Sequence, residues 1–193
     1  KPTESLSAWE MCQRGLTEID MRTSGGVRNA TALFHAAAEA DPTYALPHAL
    51  IGRVHAVRIY SGRSRNPRED VVKGMFHANR AIELDDRLEL GHITLAQLLT
   101  LQGQENDARE ALARARALNH NDALIYNAQT FINLFQKNPN TEEMEAAGLE
   151  AIRLSPQDPM LWSFYWMLAV AIWMRDMSLG ENMRQYLEPA ARN

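Results

Sequence analysis

The stretch from Glu89 to Asp122 most constrains what this chain can fold into, because it reads as one complete 34-residue structural repeat. Two segments with helical apolar spacing flank Gly103, a residue suited to a turn with left-handed backbone. Small residues at Ala96, Ala108 and Ala115 let two antiparallel helices approach closely. One such helical hairpin cannot bury its own apolar face, so the pattern predicts flanking copies of the same unit.

Similar units precede and follow this stretch, and together they predict an all-α chain of about five antiparallel helix pairs. We expect a single domain in which the pairs span about residues 6–44, 45–88, 89–122, 123–158 and 159–193. The turns within the first two units are longer than those in the later ones.

Residues at the helix ends predict where the first two helices begin. Thr3 is the expected cap of a helix that runs from Ser5 to about Asp20. A loop is then expected at residues 23–26, where Thr-Ser-Gly-Gly reads as a turn. The second helix is predicted from Ala30 to Ala40.

Later boundaries carry comparable signals. Asn66 is an expected N-cap with Pro67 at the first helical position, and Asp122 and Thr141 are expected caps further on. The partner helix of the last unit is predicted near residues 181–188 and has the weakest pattern of all.

The repeat pattern can be compared with a known signature. In the 89–122 unit the first-helix signature W-x2-L-G-x2-Y aligns with His92, Leu95, Ala96 and Leu99. Ile51-Gly52 is the clearest match to the Leu-Gly pair of that signature. On these residues nearly the whole chain resembles the tetratricopeptide repeat family. The resemblance implies a right-handed α-solenoid and a non-catalytic module that binds a protein or peptide partner.

Three phrases narrow this resemblance: residues 8–15 (AWEMCQRG), 30–52 and 153–159 (RLSPQDP). They are similar to the C-terminal repeat regions of bacterial multidomain regulators, in which the repeats follow a class III adenylate cyclase domain or a winged-helix DNA-binding domain. The implied role is the regulatory or partner-binding segment of a larger bacterial signalling protein such as an adenylate cyclase. The alternative is a dimerisation segment of a winged-helix transcriptional regulator. Because the chain begins with Lys1, we expect a fragment or a processed product.

Composition favours a cytoplasmic protein without nucleic-acid or membrane partners. The chain has 193 residues, of which 46 % are hydrophobic and 23 % charged, and its net charge of −4 gives no overall attraction to nucleic acid or anionic lipid. No charged-then-apolar signal peptide opens the chain. Cys12 is the single cysteine, so no internal disulfide is expected.

No motif predicts catalysis, a cofactor or a metal. His48 and His55 lie seven residues apart on one helix, about 10 Å along its axis, which is too far for one ion. Together with His92 they occupy signature positions, which favours a packing role. The thiol of Cys12 is expected to be buried and inert. Four arginines between Arg58 and Arg68 could contact phosphate or an acidic partner, or could simply be solvated.

The resemblance also implies a partner-binding face, because the inner surface of the repeat family is built from the first helix of each pair. Carried over residue by residue, this face comprises Leu46, Arg53, Val57, Leu90, Ile93, Gln97, Leu101, Leu124, Asn127, Phe131, Leu134, Phe135, Met160 and Met167. The face is mostly apolar and suits an amphipathic helix or an apolar peptide segment. Phe131 and Phe135, one turn apart, are expected to make the main contacts, unless the chain's own last helices cover them.

The aromatic and methionine residues between Trp162 and Met174 are too dense for one helix stripe. They indicate either a helix buried on several sides or a docking surface for an absent domain or a second copy of the chain.

Overall fold

The computed structural model describes residues 3–20, 23–158 and 161–176, and all regular secondary structure in these ranges is helical. The helices are α1 (Leu6–Asp20), α2 (Ser24–Ala40), α3 (Ala45–Tyr60), α4 (Pro67–Leu84), α5 (Glu89–Leu101), α6 (Glu105–Leu118), α7 (Ala123–Leu134), α8 (Thr141–Leu154) and α9 (Leu161–Asp176). The predicted all-α fold is confirmed. The chain divides into two compact units, unit 1 (Lys1–Leu98) and unit 2 (Leu99–Asn193). The single domain stays a prediction.

Unit 1 is built from helices that pack on their sequence neighbours. Helix α1 packs on α2, α3 packs on α4, and α2 also contacts α3. Phe34 is fully buried among the small residues Ala8, Cys12 and Ala30. A Cβ atom on Gly15 would lie only 2.4 Å from the Phe34 ring, so the close approach of α1 to α2 depends on this glycine. The predicted buried role of Cys12 is therefore confirmed.

Helix α2 begins earlier than the sequence predicted. Thr23 is its N-cap, with its hydroxyl oxygen 2.8 Å from the Gly26 amide N that donates to it. The expectation of a loop at residues 23–26 and of a start at Ala30 was therefore wrong. Gly26 lies inside the first turn of α2. The residue must be glycine there, because a Cβ atom would be 2.2 Å from the carbonyl oxygen of Glu18. Its role is to allow close contact with the backbone of α1 and not to form a turn.

Two predicted caps were also misplaced by one or two residues. Ser5 and not Thr3 lies next to the first turn of α1, and its hydroxyl accepts from the amide of Ala8 at 3.3 Å. Thr3 instead accepts from the Ser5 amide and donates to a carboxylate oxygen of Asp41. Asn140 caps α8, and Thr141 is the first helical residue. Asn is preferred to Thr at the N-cap position, so Asn140 caps the helix where the two residues are adjacent.

Unit 2 contains α6 packed on α7, α7 packed on α8, and α9 packed on both α7 and α8. Asp122 caps α7 as predicted, with its carboxylate 2.8 Å from the Leu124 amide N that donates to it. Gly103 has a φ of +74°, which confirms the expected left-handed turn. Phe164 on α9 is fully buried in this unit. The helix predicted near residues 181–188 and the predicted contact residue Met160 lie outside the described residues.

No helix among the described residues combines the length and the apolar character that a membrane crossing requires.

Candidate functional site

In unit 1 the predicted partner-binding residues differ in their exposure. Leu46, Arg53 and Val57 on α3 are half-buried, and so is Leu90 on α5, which packs with Leu46 against the core around Phe34. Ile93 on α5 is buried, as is Gln97. The accessible part of this face is therefore formed mainly by α3.

In unit 2 the predicted residues form a stripe along α7. Leu124, Asn127 and Leu134 are half-buried, as is Leu101 at the end of α5, and Met167 on α9 is buried. The exposures of the two phenylalanines are unequal: Phe131 is 4 % exposed and Phe135 is 50 % exposed. Their ring centroids are 4.8 Å apart with the planes tilted by 50°. Phe131 thus supports the accessible ring of Phe135 from within the unit.

Two of the predicted residues hold a buried acceptor. The Oε1 atom of Gln97 and the Oδ1 atom of Asn127 are buried, and no donor among the described residues reaches either atom. A buried acceptor without a donor costs about 1–3 kcal/mol relative to a paired one. The sequence patterns alone carry no signal for this feature, because it depends on the neighbouring side chains.

The arginine-rich segment between Arg58 and Arg68 is anchored by a buried carboxylate that the sequence patterns did not predict. Asp70 on α4 is buried, and its Oδ1 atom lies 2.6 Å from the Nδ1 atom of His55 and 3.7 Å from the guanidinium of Arg58. The Ser64 hydroxyl donates to the other carboxylate oxygen. Burial raises the pKa of Asp70, but the hydrogen bonds from Ser64 and His55 and the charge of Arg58 outweigh it and lower the pKa. The turn between α3 and α4 is therefore tied to both helices.

A histidine pair joins α3 to α4 in unit 1. The Nδ1 atoms of His48 and His77 are 2.9 Å apart, so one ring donates its Nδ1 proton and the other accepts it. The His35 ring from α2 lies 5.6 Å from His77, centroid to centroid. Burial lowers the pKa of His48, with Arg80 and His35 adding to the effect. Burial and the neighbouring histidines lower the pKa of His77 to about 4. His48 thus has the packing role that the sequence predicted, through a hydrogen bond to His77 in which the accepting ring must be neutral.

The pair of His48 and His77 is expected to make the stability of the fold sensitive to acid. In the unfolded chain a histidine has a pKa of about 6.5, whereas the pKa of His77 in the folded chain is about 4. Between these pH values the unfolded state binds more protons than the folded state. The contribution of neutral His77 to the free energy of unfolding is therefore fully present above pH 6.5 and is lost as the pH falls toward 4. We expect a loss of about 1–2 kcal/mol in the free energy of unfolding, after allowing for solvent screening at a half-buried site. Urea titrations of the wild type and His77→Gln between these pH values should diverge, whereas His120→Gln, an exposed control, should follow the wild type. Superimposable pH profiles for His77→Gln and the wild type would contradict the assignment.

The described residues offer little for covalent or metal chemistry. Burial raises the pKa of the Cys12 thiol to about 12, so this cysteine is a poor nucleophile. Within residues 3–20, 23–158 and 161–176, no three His, Cys, Asp or Glu side chains are arranged to hold a metal ion.

Comparisons with known proteins agree with the fold. No protein-family model matches the chain, and no curated protein matches it. Among solved structures, the crystal structure of MamA is similar, with a TM-score of 0.51 at 17 % sequence identity over 91 % of this chain and 92 % of that chain. At this identity the likeness concerns the fold alone. It confirms the predicted fold class, a helical solenoid of the tetratricopeptide-like type.

Proposed function

We propose that this chain is a non-catalytic protein–protein interaction module that binds an amphipathic helix or an apolar peptide segment along α7. The observation that carries the proposal is the exposed ring of Phe135, which is backed by Phe131 at a centroid distance of 4.8 Å. A rigid, half-exposed aromatic ring gains a large apolar contact at little cost in side-chain entropy when a partner covers it.

Phe135→Ala is expected to weaken binding without affecting stability. The probe is a fluorescein-labelled peptide with leucines at helix positions i, i+3, i+4 and i+7, compared with a scrambled peptide of the same composition. Loss of a central aromatic contact should raise the Kd about 30-fold, corresponding to about 2 kcal/mol. Phe76 on α4 is 64 % exposed and lies outside the stripe, so Phe76→Ala is the matched control and should bind normally.

The companion variant tests the division of roles between the two rings. Phe131→Ala removes a buried ring and should lower the free energy of unfolding by about 3 kcal/mol. Fluorescence anisotropy gives affinity and thermal unfolding gives stability. Equal affinity for the ordered and scrambled peptides, or unchanged binding by Phe135→Ala, would rule out this surface as the binding site.

Self-association is a second candidate, favoured by two exposed tryptophans. Trp166 and Trp173, seven residues apart on α9, are both exposed, and Leu149 on α8 is exposed in the same unit. Such side chains suit an interface between copies of the chain. Light scattering decides: a monomer favours the peptide-binding function, whereas a dimer that Trp166→Ala and Trp173→Ala disrupt favours self-association.

The narrower proposal concerns the parent protein. The three phrases at residues 8–15, 30–52 and 153–159 support a regulatory segment of a larger cytoplasmic bacterial signalling protein, such as an adenylate cyclase, with a winged-helix regulator as the alternative. The full reading frame of the gene tests it, since a neighbouring cyclase or DNA-binding domain would identify the pathway. A frame that encodes only this segment would remove the idea.

A further inference from the structure

A groove of about 440 Å³ lies between α6, α7 and α8 in unit 2. Its apolar part is formed by Leu112 and Ile132, which are buried, and by Ala113 and Ala117, which are exposed. Polar and charged side chains line the rest: Arg109, Arg116, Gln129, Asn133, Gln136 and Glu143. This volume is in the range of protein pockets that bind ligands as large as several amino-acid side chains.

The groove lies on the other side of α7 from the proposed partner-binding stripe. Since each residue of an α-helix turns the chain by about 100°, Gln129 and Asn133 project roughly opposite to Phe131, and Ile132 lies about a quarter turn from it. The groove and the stripe are therefore formed largely by different faces of α7.

The groove is cationic, although the whole chain carries a net charge of −4. Arg109 and Arg116 face a single carboxylate, that of Glu143. Arg116 lies over the Tyr126 ring at 5.1 Å from its centroid and donates a hydrogen bond to the Gln129 side chain. The Gln129 amide donates in turn to Glu143 at 2.5 Å, so a glutamine separates this cation from the carboxylate.

Arg109 is the most available charge at the groove. Among the described residues its guanidinium forms no ion pair and no side-chain hydrogen bond, and the residue is exposed. An arginine fork binds a carboxylate through two parallel hydrogen bonds, and the ring of Tyr126 already orients the second fork. The two guanidinium groups border an apolar floor, which is the complement of a carboxylate placed next to an aliphatic side chain.

We propose that this groove binds an acidic peptide segment in which Asp or Glu residues alternate with aliphatic ones. The carboxylates pair with Arg109 and Arg116, and an aliphatic side chain packs on the exposed Ala113 and Ala117, next to the buried Leu112 and Ile132. Steering by the local positive potential gives the binding a marked dependence on salt. The proposal goes beyond the function proposed for the α7 stripe, since it adds a second surface for a partner of different chemistry.

The test is fluorescence anisotropy with a fluorescein-labelled peptide of alternating Glu and Leu, about 12 residues long to span the groove. A peptide with Gln in place of every Glu isolates the charge. The wild type should bind the Glu peptide at least about tenfold more tightly than the Gln peptide. The double variant Arg109→Gln, Arg116→Gln should lose about tenfold or more in affinity for the Glu peptide. Arg114→Gln, on the opposite side of α6, should leave the affinity unchanged.

Further variants separate the two surfaces. Ala113→Glu places a like charge on an exposed wall of the groove and should abolish binding of the Glu peptide, with circular dichroism confirming the helical fold. Phe135→Ala should bind the Glu peptide normally even where it loses the amphipathic-helix peptide. Unchanged affinity in the double variant, equal affinity for the Gln peptide, or loss of Glu-peptide binding in Phe135→Ala would each overturn the proposal.

Discussion

Asp70→Ala is expected to lower the free energy of unfolding by about 3–5 kcal/mol, because it removes one partner of a buried charged network. The substitution leaves the His55 ring, 2.6 Å from the carboxylate in the wild type, without its partner in a buried position. It also releases the Ser64 hydroxyl, which fastens the turn between α3 and α4. Arg58 loses a weaker, partly exposed contact at 3.7 Å.

Substituting an exposed aspartate as a control shows whether the loss of stability comes from the buried network around Asp70. Asp107 lies in the first turn of α6 and is exposed, so Asp107→Ala should change the free energy of unfolding by less than about 0.5 kcal/mol. Urea denaturation followed by circular dichroism measures both variants. If Asp70→Ala proved as stable as Asp107→Ala, the carboxylate would not hold the turn.

Gly26→Ala is expected to destabilise the chain by about 3 kcal/mol, although alanine is the better helix former. Its Cβ would lie 2.2 Å from the Glu18 carbonyl oxygen, which is backbone and can move only if α1 and α2 separate. Gly25 is the matched control in the same helical turn. There a Cβ would meet its nearest atom at 3.7 Å, so Gly25→Ala should be neutral or stabilising by up to about 1 kcal/mol.

The measurement for this pair is the urea midpoint of each variant. Opposite signs for two adjacent glycines would show that Gly26 serves helix contact. Equal midpoints for Gly25→Ala and Gly26→Ala would contradict the close approach of α1 and α2.

Much of the fold was predictable because helical spacing is a local property. Ala30, Phe34 and Ala37 follow the expected pattern, and all three are fully buried. The pattern could not show that residues 23–26 begin a helix, because a pair of glycines signals a turn and a close helix contact equally well. The distinction depends on Glu18 of the neighbouring helix, which lies beyond any local window.

The candidate site was less predictable because burial depends on contacts between distant residues. Phe131 and Phe135 are the same residue type one turn apart, yet one is nearly buried and the other half-exposed. The pair of His48 and His77 joins residues 29 apart in sequence and has no local signature. Which residues of the partner-binding face make contact stays a prediction.

Photo-crosslinking from position 135 tests the central claim, that the α7 stripe is a partner-binding surface, most directly. Benzoylphenylalanine placed at Phe135 retains an exposed aromatic group at that position, and the same group at Phe76, also exposed, is the control. After irradiation in the native cell, our account predicts a discrete adduct with a second polypeptide from position 135 and none from position 76. An adduct yield at position 135 no greater than at position 76 would contradict it.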